Sequence, residues 1–293
     1  MNHLSSYLGI KDDYNKSRNF IIVRRPPPEK YKKVWLRITK LYKGRILGIS
    51  SNRYFPKDVQ YVTDHASGWF HCFRDTKDIL PDNLPCILLS ESDFTKPDIL
   101  QYSSKKKEFD IVYSCKKGQK KTKNFGLFMR CLPKLKDYKI HLMLHGFSNK
   151  EIHFINKKYN NVFITTKSFG RREFFRQLSR SRVGFFPNET DASPRVLTEC
   201  LAMNMPVVVN KNIVGGWKYI NPNTGYFFQD ENDVMDSVQQ SLDFSYDKNR
   251  RINEYFKEEH YEESRKNLAQ FITKLYPDEE SMFKSRLCHI KRI

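Results

Sequence analysis

The sequence lacks paired cysteines, long apolar runs and any Asp-x-Asp motif. Its six cysteines lie far apart without a C-x-x-C pair, which argues against a zinc ribbon or disulfide framework and favours a reducing compartment. No stretch of about 18 apolar residues could span a bilayer, and the N-terminus lacks the charged start and apolar core of a signal peptide. We therefore expect a cytoplasmic protein, either soluble or peripheral on a membrane.

Acidic residues are scarce relative to basic ones, with 33 Asp and Glu against 52 Lys and Arg, a formal net charge of +19. Most of the excess lies in residues 111–180, which hold 17 basic and 3 acidic residues, whereas residues 181–293 hold 15 and 17. This basic band fits a nucleic-acid face, a membrane-docking face or one wall of a cleft for a phosphorylated small molecule. Charge alone leaves the three readings open.

The length of the chain and its apolar content suffice for two folded domains. The chain has 293 residues, of which 39% are hydrophobic and 14% aromatic, so wholesale disorder is excluded. At roughly 150 residues per domain, this length fits two compact units that each bury a core.

From residue 109 onward, short apolar runs alternate with amphipathic segments. This alternation is typical of βα units that build a doubly wound parallel sheet. The predicted strands are 109–114, 138–144, 161–165, 183–186, 206–209 and 225–228. Two amphipathic segments, 231–242 and about 248–276, are predicted as closing helices.

The first hundred residues resemble a smaller version of the same α/β pattern. The predicted strands are 20–24, 45–49, 59–62 and 85–90, with one helix at 29–42 after a run of three prolines. Residues 95–108 have the composition of a linker. We place the boundary there, giving domains 1–104 and 105–293.

The most informative stretch runs from residue 185 to 209, where a strand, a polar loop, a helix and a second strand follow one another. Ser193 is predicted as the N-cap of this helix and Pro194 as its first residue. The backbone amides of Ser193, Arg195 and Val196 would then be free to bind a phosphate at the positive end of the helix dipole. Because the loop follows the carboxyl end of a strand, a nucleotide diphosphate would suit it.

Glu199 lies six residues after the predicted cap, too far along for a capping box. Its carboxylate could accept two hydrogen bonds from a ribose diol. The alternative is a solvated pair with Arg195 at i,i+4 spacing, worth only about 0.2–0.5 kcal/mol.

The stretch from Asp191 to residue 209 resembles the E-x7-E loop and helix of the retaining GT4-like glycosyltransferases (glycosyl transferase group 1). Asp191 and Glu199 are eight positions apart, and the helix leads into a Pro-Val-Val strand. The family's usual glycines are replaced here by Ala192, Ser193 and Pro194. The resemblance implies a GT-B architecture, in which two Rossmann-like doubly wound domains face a cleft and the N-terminal one is abbreviated. Residues 1–104 would bind the acceptor and residues 105–293 the nucleotide-sugar donor.

Two further segments extend this resemblance. Gly215 and Gly216 are similar to the family's Gly-Gly loop, in which backbone approaches the donor. The strand and basic loop after residue 109 resemble the segment that neutralises the donor diphosphate, and Lys116 and Lys123 are the candidates for that role. The family often places an N-terminal-domain histidine near the donor sugar, which here implies His65, with His71 as the other candidate.

The resemblance implies transfer of a sugar from a UDP- or GDP-sugar to a hydroxyl on a glycan, lipid or protein, with retention and without a metal or other cofactor. Asp191 would contact the sugar and Lys123 would assist diphosphate departure, so both are predicted as catalytic together with His65. Two alternatives stay open: an inverting exostosin-like GT-B enzyme, and a non-enzymatic basic module on nucleic acid or anionic membrane. Under the leading hypothesis nucleic acid is not an expected partner, whereas peripheral contact with an anionic membrane is compatible.

Overall fold

A computed structural model describes residues 21–23, 32–41, 43–50, 63–76, 79–246 and 258–277. The chain divides into two compact units, one formed by Met1–Glu91 with Glu262–Ile293 and the other by Ser92–Tyr261. Within the described residues each unit has its own all-parallel sheet, of four strands in the first and six in the second. The predicted α/β class is therefore confirmed for both parts of the chain.

The sheet of the first unit has the order β1-β2-β3-β4. Its strands are β1 (Ile21–Val23), β2 (Ile46–Ile49), β3 (Ala66–His71) and β4 (Cys86–Leu88), and helix α1 spans Lys32–Leu41. Three of these strands and the helix were predicted, but β3 was missed because its sequence begins with the small residues Ala-Ser-Gly rather than β-branched ones. The strand predicted at 59–62 lies outside the described residues.

The second unit has a six-stranded sheet in the order β10-β9-β8-β5-β6-β7. The strands are β5 (Phe109–Lys116), β6 (Ile140–His145), β7 (Val162–Thr165), β8 (Ser181–Phe186), β9 (Val207–Asn210) and β10 (Gly225–Phe228). The helices are α2 (Phe125–Cys131), α3 (Asn149–Lys158), α4 (Arg171–Leu178), α5 (Arg195–Ala202) and α6 (Val234–Tyr246). All six strands predicted here are confirmed, with bounds that differ by about two residues.

Helices cover both faces of this second sheet. Helices α2, α3 and α6 share one hydrophobic core with the sheet, and α4 and α5 share another on the opposite face. Alternate residues of β5 point to the two cores: Tyr113 stacks on Phe128 of α2 at 4.1 Å between ring centroids, whereas Val112 belongs to the opposite core. Covering on both faces is the reason that these strands are almost continuously apolar in sequence.

The predicted linker at 95–108 is wrong. Its 3-10 helix Pro97–Tyr102 packs on the second unit, where Ile99 is 3% exposed and belongs to the same core as α4 and α5. Ser103 Oγ donates to the Met203 carbonyl at 3.1 Å, and Lys107 Nζ donates to the Ser179 carbonyl at 2.7 Å. Composition suggested a linker because the segment is rich in polar residues, but those residues hydrogen-bond to the unit.

The last helix, α7 (Glu258–Leu275), belongs from Glu262 onward to the first unit. The sequence analysis had placed it in the C-terminal domain, 105–293. The cause is its apolar face. The rings of Phe271 and Phe70 on β3 lie 5.5 Å apart, and a Cβ on Gly68 would come within 2.6 Å of Leu275. No helix in the described part of the chain is both long and apolar enough to cross a membrane.

Candidate active site

The strand order of the second unit defines a crevice at one edge of its sheet. β5 lies between β8 and β6, so the chain builds outward in one direction from β5 and then in the other from β8. This is the doubly wound order in which ligands bind outside the carboxyl ends of the strands, at the point where the order reverses. Here that point lies between the loop after β5, residues 117–124, and the loop after β8, residues 187–194. Both loops carry residues that the sequence singled out.

A partly buried ion pair joins the two loops. Lys123 Nζ lies 2.7 Å from Asp191 Oδ2, and the two side chains are 14% and 12% exposed. Asp191 also accepts hydrogen bonds from Asn188 Nδ2 at 3.0 Å and from the Ser193 amide at 3.3 Å. Because three donors converge on one carboxylate, Asp191 is fixed in position and Lys123 is held at the carboxyl ends of both strands. The structure therefore brings together two of the three predicted catalytic residues.

A second link between the loops was missed by the sequence analysis. Asn124, the N-cap of α2, has a left-handed backbone with φ of 47°, and its Oδ1 accepts from the Leu127 amide at 3.3 Å. Its Nδ2 donates to Glu189 Oε1 at 3.0 Å. Asn188 is only 1% exposed, and within the described residues its Oδ1 has no hydrogen-bond donor. The available signal was an Asn-Glu pair separated from the buried strand β8 by a single proline.

The lysines of the loop after β5 fall into two groups. Lys120 forms an ion pair and hydrogen bond with Glu151, and Lys117 Nζ lies 3.6 Å from the same carboxylate. The hydrogen bond from Lys120, followed by those from the Ser148 hydroxyl and amide, lowers the pKa of Glu151 to about 2. Lys116 and Lys121 are exposed, and neither has an acidic partner among the residues described. Lys116 ends β5, so its ammonium is available at the carboxyl edge of the sheet.

The helix after the second loop begins one residue later than predicted. α5 starts at Arg195, and Pro194 is its N-cap. Ser193 is not the cap, because its Oγ accepts from the Ser92 amide at 3.0 Å and lies 2.9 Å from Ser92 Oγ. The Arg195 amide donates to the Ser193 carbonyl at 2.9 Å. Among the described groups the Val196 amide has no acceptor, so of the predicted donors it alone stays available to an anion.

The two glycines pack against this loop. A Cβ on Gly215 would lie 2.0 Å from the Ala192 carbonyl oxygen, and the Gly215 amide donates to the Asp191 carbonyl at 3.0 Å. Gly216 has φ of +86°, and a Cβ there would lie 2.6 Å from Pro194 Cγ. The absence of side chains at both positions is thus explained by the approach of the two protein loops.

Glu199 is buried in the first turns of α5, with its side chain 11% exposed. Arg171 Nη2, at the start of α4, lies 3.7 Å from Glu199 Oε1. Arg195 is exposed, and among the described residues it forms no ion pair with Glu199. The alternative interpretation of Glu199, a solvated surface pair with Arg195, is therefore wrong. Burying a carboxylate is costly without charged or polar partners, which the arginine provides.

The predicted histidine lies in the first unit. His65 immediately precedes β3, so it is at the amino end of that strand, where its ring meets Trp35 edge-on at 6.4 Å between centroids. His71, the other candidate, ends β3 at its carboxyl edge and stacks on Phe73 at 6.4 Å. Throughout the part of the chain that the structure describes, no three His, Cys, Asp or Glu side chains are placed to hold a metal ion.

Two parallel Rossmann-like sheets in one chain, with charged loops at the switch point of the second, are the architecture of the GT-B glycosyltransferases. Comparison with solved structures shows this fold. TarM aligns with a TM-score of 0.53 at 15% identity over 83% of this chain and 50% of its own. The pneumococcal O-GlcNAc transferase GtfA, in complex with UDP and GlcNAc, aligns with a TM-score of 0.50 at 10% identity over 86% and 55%. Sucrose-phosphate synthase from Thermosynechococcus elongatus aligns with a TM-score of 0.58 at 13% identity over 84% and 71%.

The chain spans about half the length of the first two of these proteins, covering 50% of TarM and 55% of GtfA. No model of a protein family matches it, and no curated protein matches its sequence. At these identities the likeness establishes the GT-B fold, and it confirms the shortened GT-B architecture that the motif resemblance implied.

Proposed function

We propose that this protein is a glycosyltransferase that moves a sugar from a nucleoside diphosphate sugar to a hydroxyl acceptor. The observation that carries the proposal is the Lys123–Asp191 pair, which joins the two loops at the switch point of a GT-B sheet with a separation of 2.7 Å. A cation and a fixed carboxylate at that point suit a ligand that is anionic at its diphosphate and rich in hydroxyls at its sugar.

The donor would lie across the second unit. Lys123 and Lys116 would neutralise the diphosphate, and the Val196 amide at the start of α5 would add a backbone donor. Asp191 would accept hydrogen bonds from the sugar hydroxyls, and Glu199 from the ribose diol. Gly215 and Gly216 would shape the loop around Asp191. UDP is the proposed nucleotide because the GtfA structure was solved with UDP; GDP is the alternative.

Two residues predicted at the donor site act less directly in this proposal. Ser193 would place the loop through its hydrogen bonds to Ser92, and its amide is engaged by Asp191. The exposed side chain of Arg195 would be the nearest cation on α5 for the diphosphate.

The acceptor would bind through the first unit. In parallel sheets ligands bind at the carboxyl ends of the strands, and His71 is at that end of β3 whereas His65 is at the other. We therefore propose His71 in place of His65 as the histidine that assists transfer. Comparing turnover of His65→Ala and His71→Ala tests this choice, and loss of activity only in the His65 variant would restore the original prediction.

Diphosphate departure would be assisted by Lys123, by Lys116 and by the start of α5, because electrostatic stabilisation of the leaving group is a main catalytic need of this chemistry. We propose retention of the anomeric configuration and no metal requirement. Product anomer analysis separates a retaining enzyme from an inverting exostosin-like one. Turnover that persists in EDTA is expected, and metal-dependent turnover would contradict that part of the proposal.

The decisive experiment is nucleotide binding. Purified protein is screened by thermal shift against UDP, GDP, ADP and nucleotide sugars, and a ligand at about 100 times its Kd should stabilise the folded state by about 2.7 kcal/mol. Glu199→Gln should weaken binding of the preferred nucleotide by about 1.5–3 kcal/mol, because a charged acceptor of the ribose hydroxyls is lost. Glu173→Gln, whose side chain lies on α4 with 42% exposure, is the matched control and should bind normally.

A flat response to every nucleotide would overturn the donor site. Stabilisation by oligonucleotides that disappears steeply with salt would instead support a nucleic-acid-binding module.

A further inference from the structure

Helix α3 presents a charged and aromatic stripe that the donor site does not use. Lys150, Phe154 and Lys158 are spaced by four residues and therefore share one face of the helix. Phe154 is 58% exposed, the most exposed phenylalanine in the part of the chain described. Lys158 Nζ lies 6.0 Å from the Phe154 ring centroid and 5.4 Å from that of Tyr159.

An open apolar groove lies beside this stripe, between α2 and α3. Its volume is about 570 Å³, and Phe125, Met129, Ile155 and Tyr159 form most of its apolar wall. We call this groove and the adjoining stripe the α3 face. Such exposed apolar surface, rimmed by charge, is typical of an interaction site.

The charge of the α3 face is positive and largely unneutralised. Within the described residues, Lys150 and Lys158 have no acidic partner. The nearest carboxylate on the helix, Glu151, is already paired with Lys120 and Lys117. Lys150 lies in the first turn of α3, where a cation is unfavourable to the helix dipole, so helix stability does not account for it.

We propose that the α3 face docks on an anionic phospholipid bilayer. The ammonium groups would lie among the headgroups while Phe154 enters the boundary of the acyl chains, as in other interfacial helices with aromatic and basic residues. A bilayer fits better than an acidic polypeptide because Phe154 projects outward and the groove is open, so the face offers an inserting group rather than a shaped pocket. This inference stands on its own residues and does not rest on the donor site.

The test is sedimentation of the full chain with vesicles of phosphatidylcholine alone and with about 30% phosphatidylserine, at about 0.1 M and about 0.5 M salt. Binding should require phosphatidylserine and weaken at the higher salt. Each lysine near an anionic leaflet is worth about fivefold in affinity, so Lys150→Gln/Lys158→Gln should bind about 25-fold more weakly. Phe154→Ser should lose about tenfold.

The controls change the same residue types at exposed positions outside the α3 face. Lys105→Gln/Lys106→Gln removes the same charge, and Phe163→Ser removes another exposed phenylalanine, 47% exposed. Both should bind vesicles within about twofold of the native chain. Equal losses in test and control variants, or no binding to phosphatidylserine, would overturn the proposal. So would α3 variants that lose binding to an acidic polypeptide while keeping vesicle binding. A melting temperature within about 2 °C of that of the native chain shows that the α3 variants are folded. This control does not require nucleotide binding, so the result stays separate from the proposed function.

Discussion

The ion pair between Lys123 and Asp191 allows the folding role and the binding role of one lysine to be separated. Lys123→Met leaves Asp191 partly buried without its cation. Removal of one partner of a fully buried pair costs about 3–5 kcal/mol. Here the side chains retain 14% and 12% exposure and Asp191 keeps two other donors, so we expect a loss of about 2 kcal/mol in the free energy of unfolding.

The double variant Lys123→Met/Asp191→Asn removes both charges. Its stability should return to within about 1 kcal/mol of the native chain, because no unpaired charge is left. UDP affinity should not return: both variants lack the cation for the diphosphate, so the Kd should rise about 10- to 100-fold in each. Asp191→Asn alone should keep UDP affinity while turnover falls.

Calorimetry measures both quantities. A loss of 2 kcal/mol should lower the melting temperature by about 4–8 °C for a unit of this size, and titration calorimetry gives the Kd for UDP. Lys121→Met, an exposed lysine of the same loop, is the control and should change neither. Recovery of UDP affinity in the double variant, or native affinity in Lys123→Met, would refute a direct contact between Lys123 and the diphosphate.

Two further predictions concern the fold around the site. Gly215→Ala should destabilise the second unit by about 1–3 kcal/mol, because the new Cβ would overlap the Ala192 carbonyl. Gly126→Ala is the control: its Cβ would meet no atom closer than 3.9 Å, so this variant should be neutral or stabilising. Equal melting temperatures of the two variants would contradict the close loop contact. Burial lowers the pKa of His141 from 6.5 to about 4. Between these two pH values the unfolded chain binds a proton at His141 that the folded chain does not. The stability that the neutral His141 contributes above pH 6.5 is therefore lost as the pH falls. From pH 7 to 4.5 the loss should be about 2 kcal/mol by urea unfolding, and His141→Gln should lack this component; an identical pH slope would show that His141 is not buried in its neutral form.

Much of the second unit was predictable because its strands are buried on both faces. Such strands form apolar runs that stand out from the amphipathic helices between them, and all six were found. The first unit was less predictable: β3 carries a glycine whose place is set by Phe271 and Leu275, more than 200 residues further along the chain. No local propensity contains that information.

The candidate site divides in the same way. Asp191, Glu199 and the two glycines could be singled out as candidates because their spacing and order form a recognisable pattern. The pairing of Lys123 with Asp191 was not predictable, because it depends on β5 and β8 lying side by side, and this order follows from packing of the whole sheet. Ser193 was misread for a related reason, since its hydroxyl could satisfy either a helix end or the distant Ser92, and tertiary contact decided between them.

The sequence by itself determined the α/β class, the strands of the second sheet and the residue types near its loops, because burial periodicity and motif spacing are local properties. The tertiary structure decided which lysine meets which carboxylate, where the last helix belongs and why the glycines are needed. These are contacts between distant segments, and their energies depend on distances of a few ångströms that arise only when the sheets have formed.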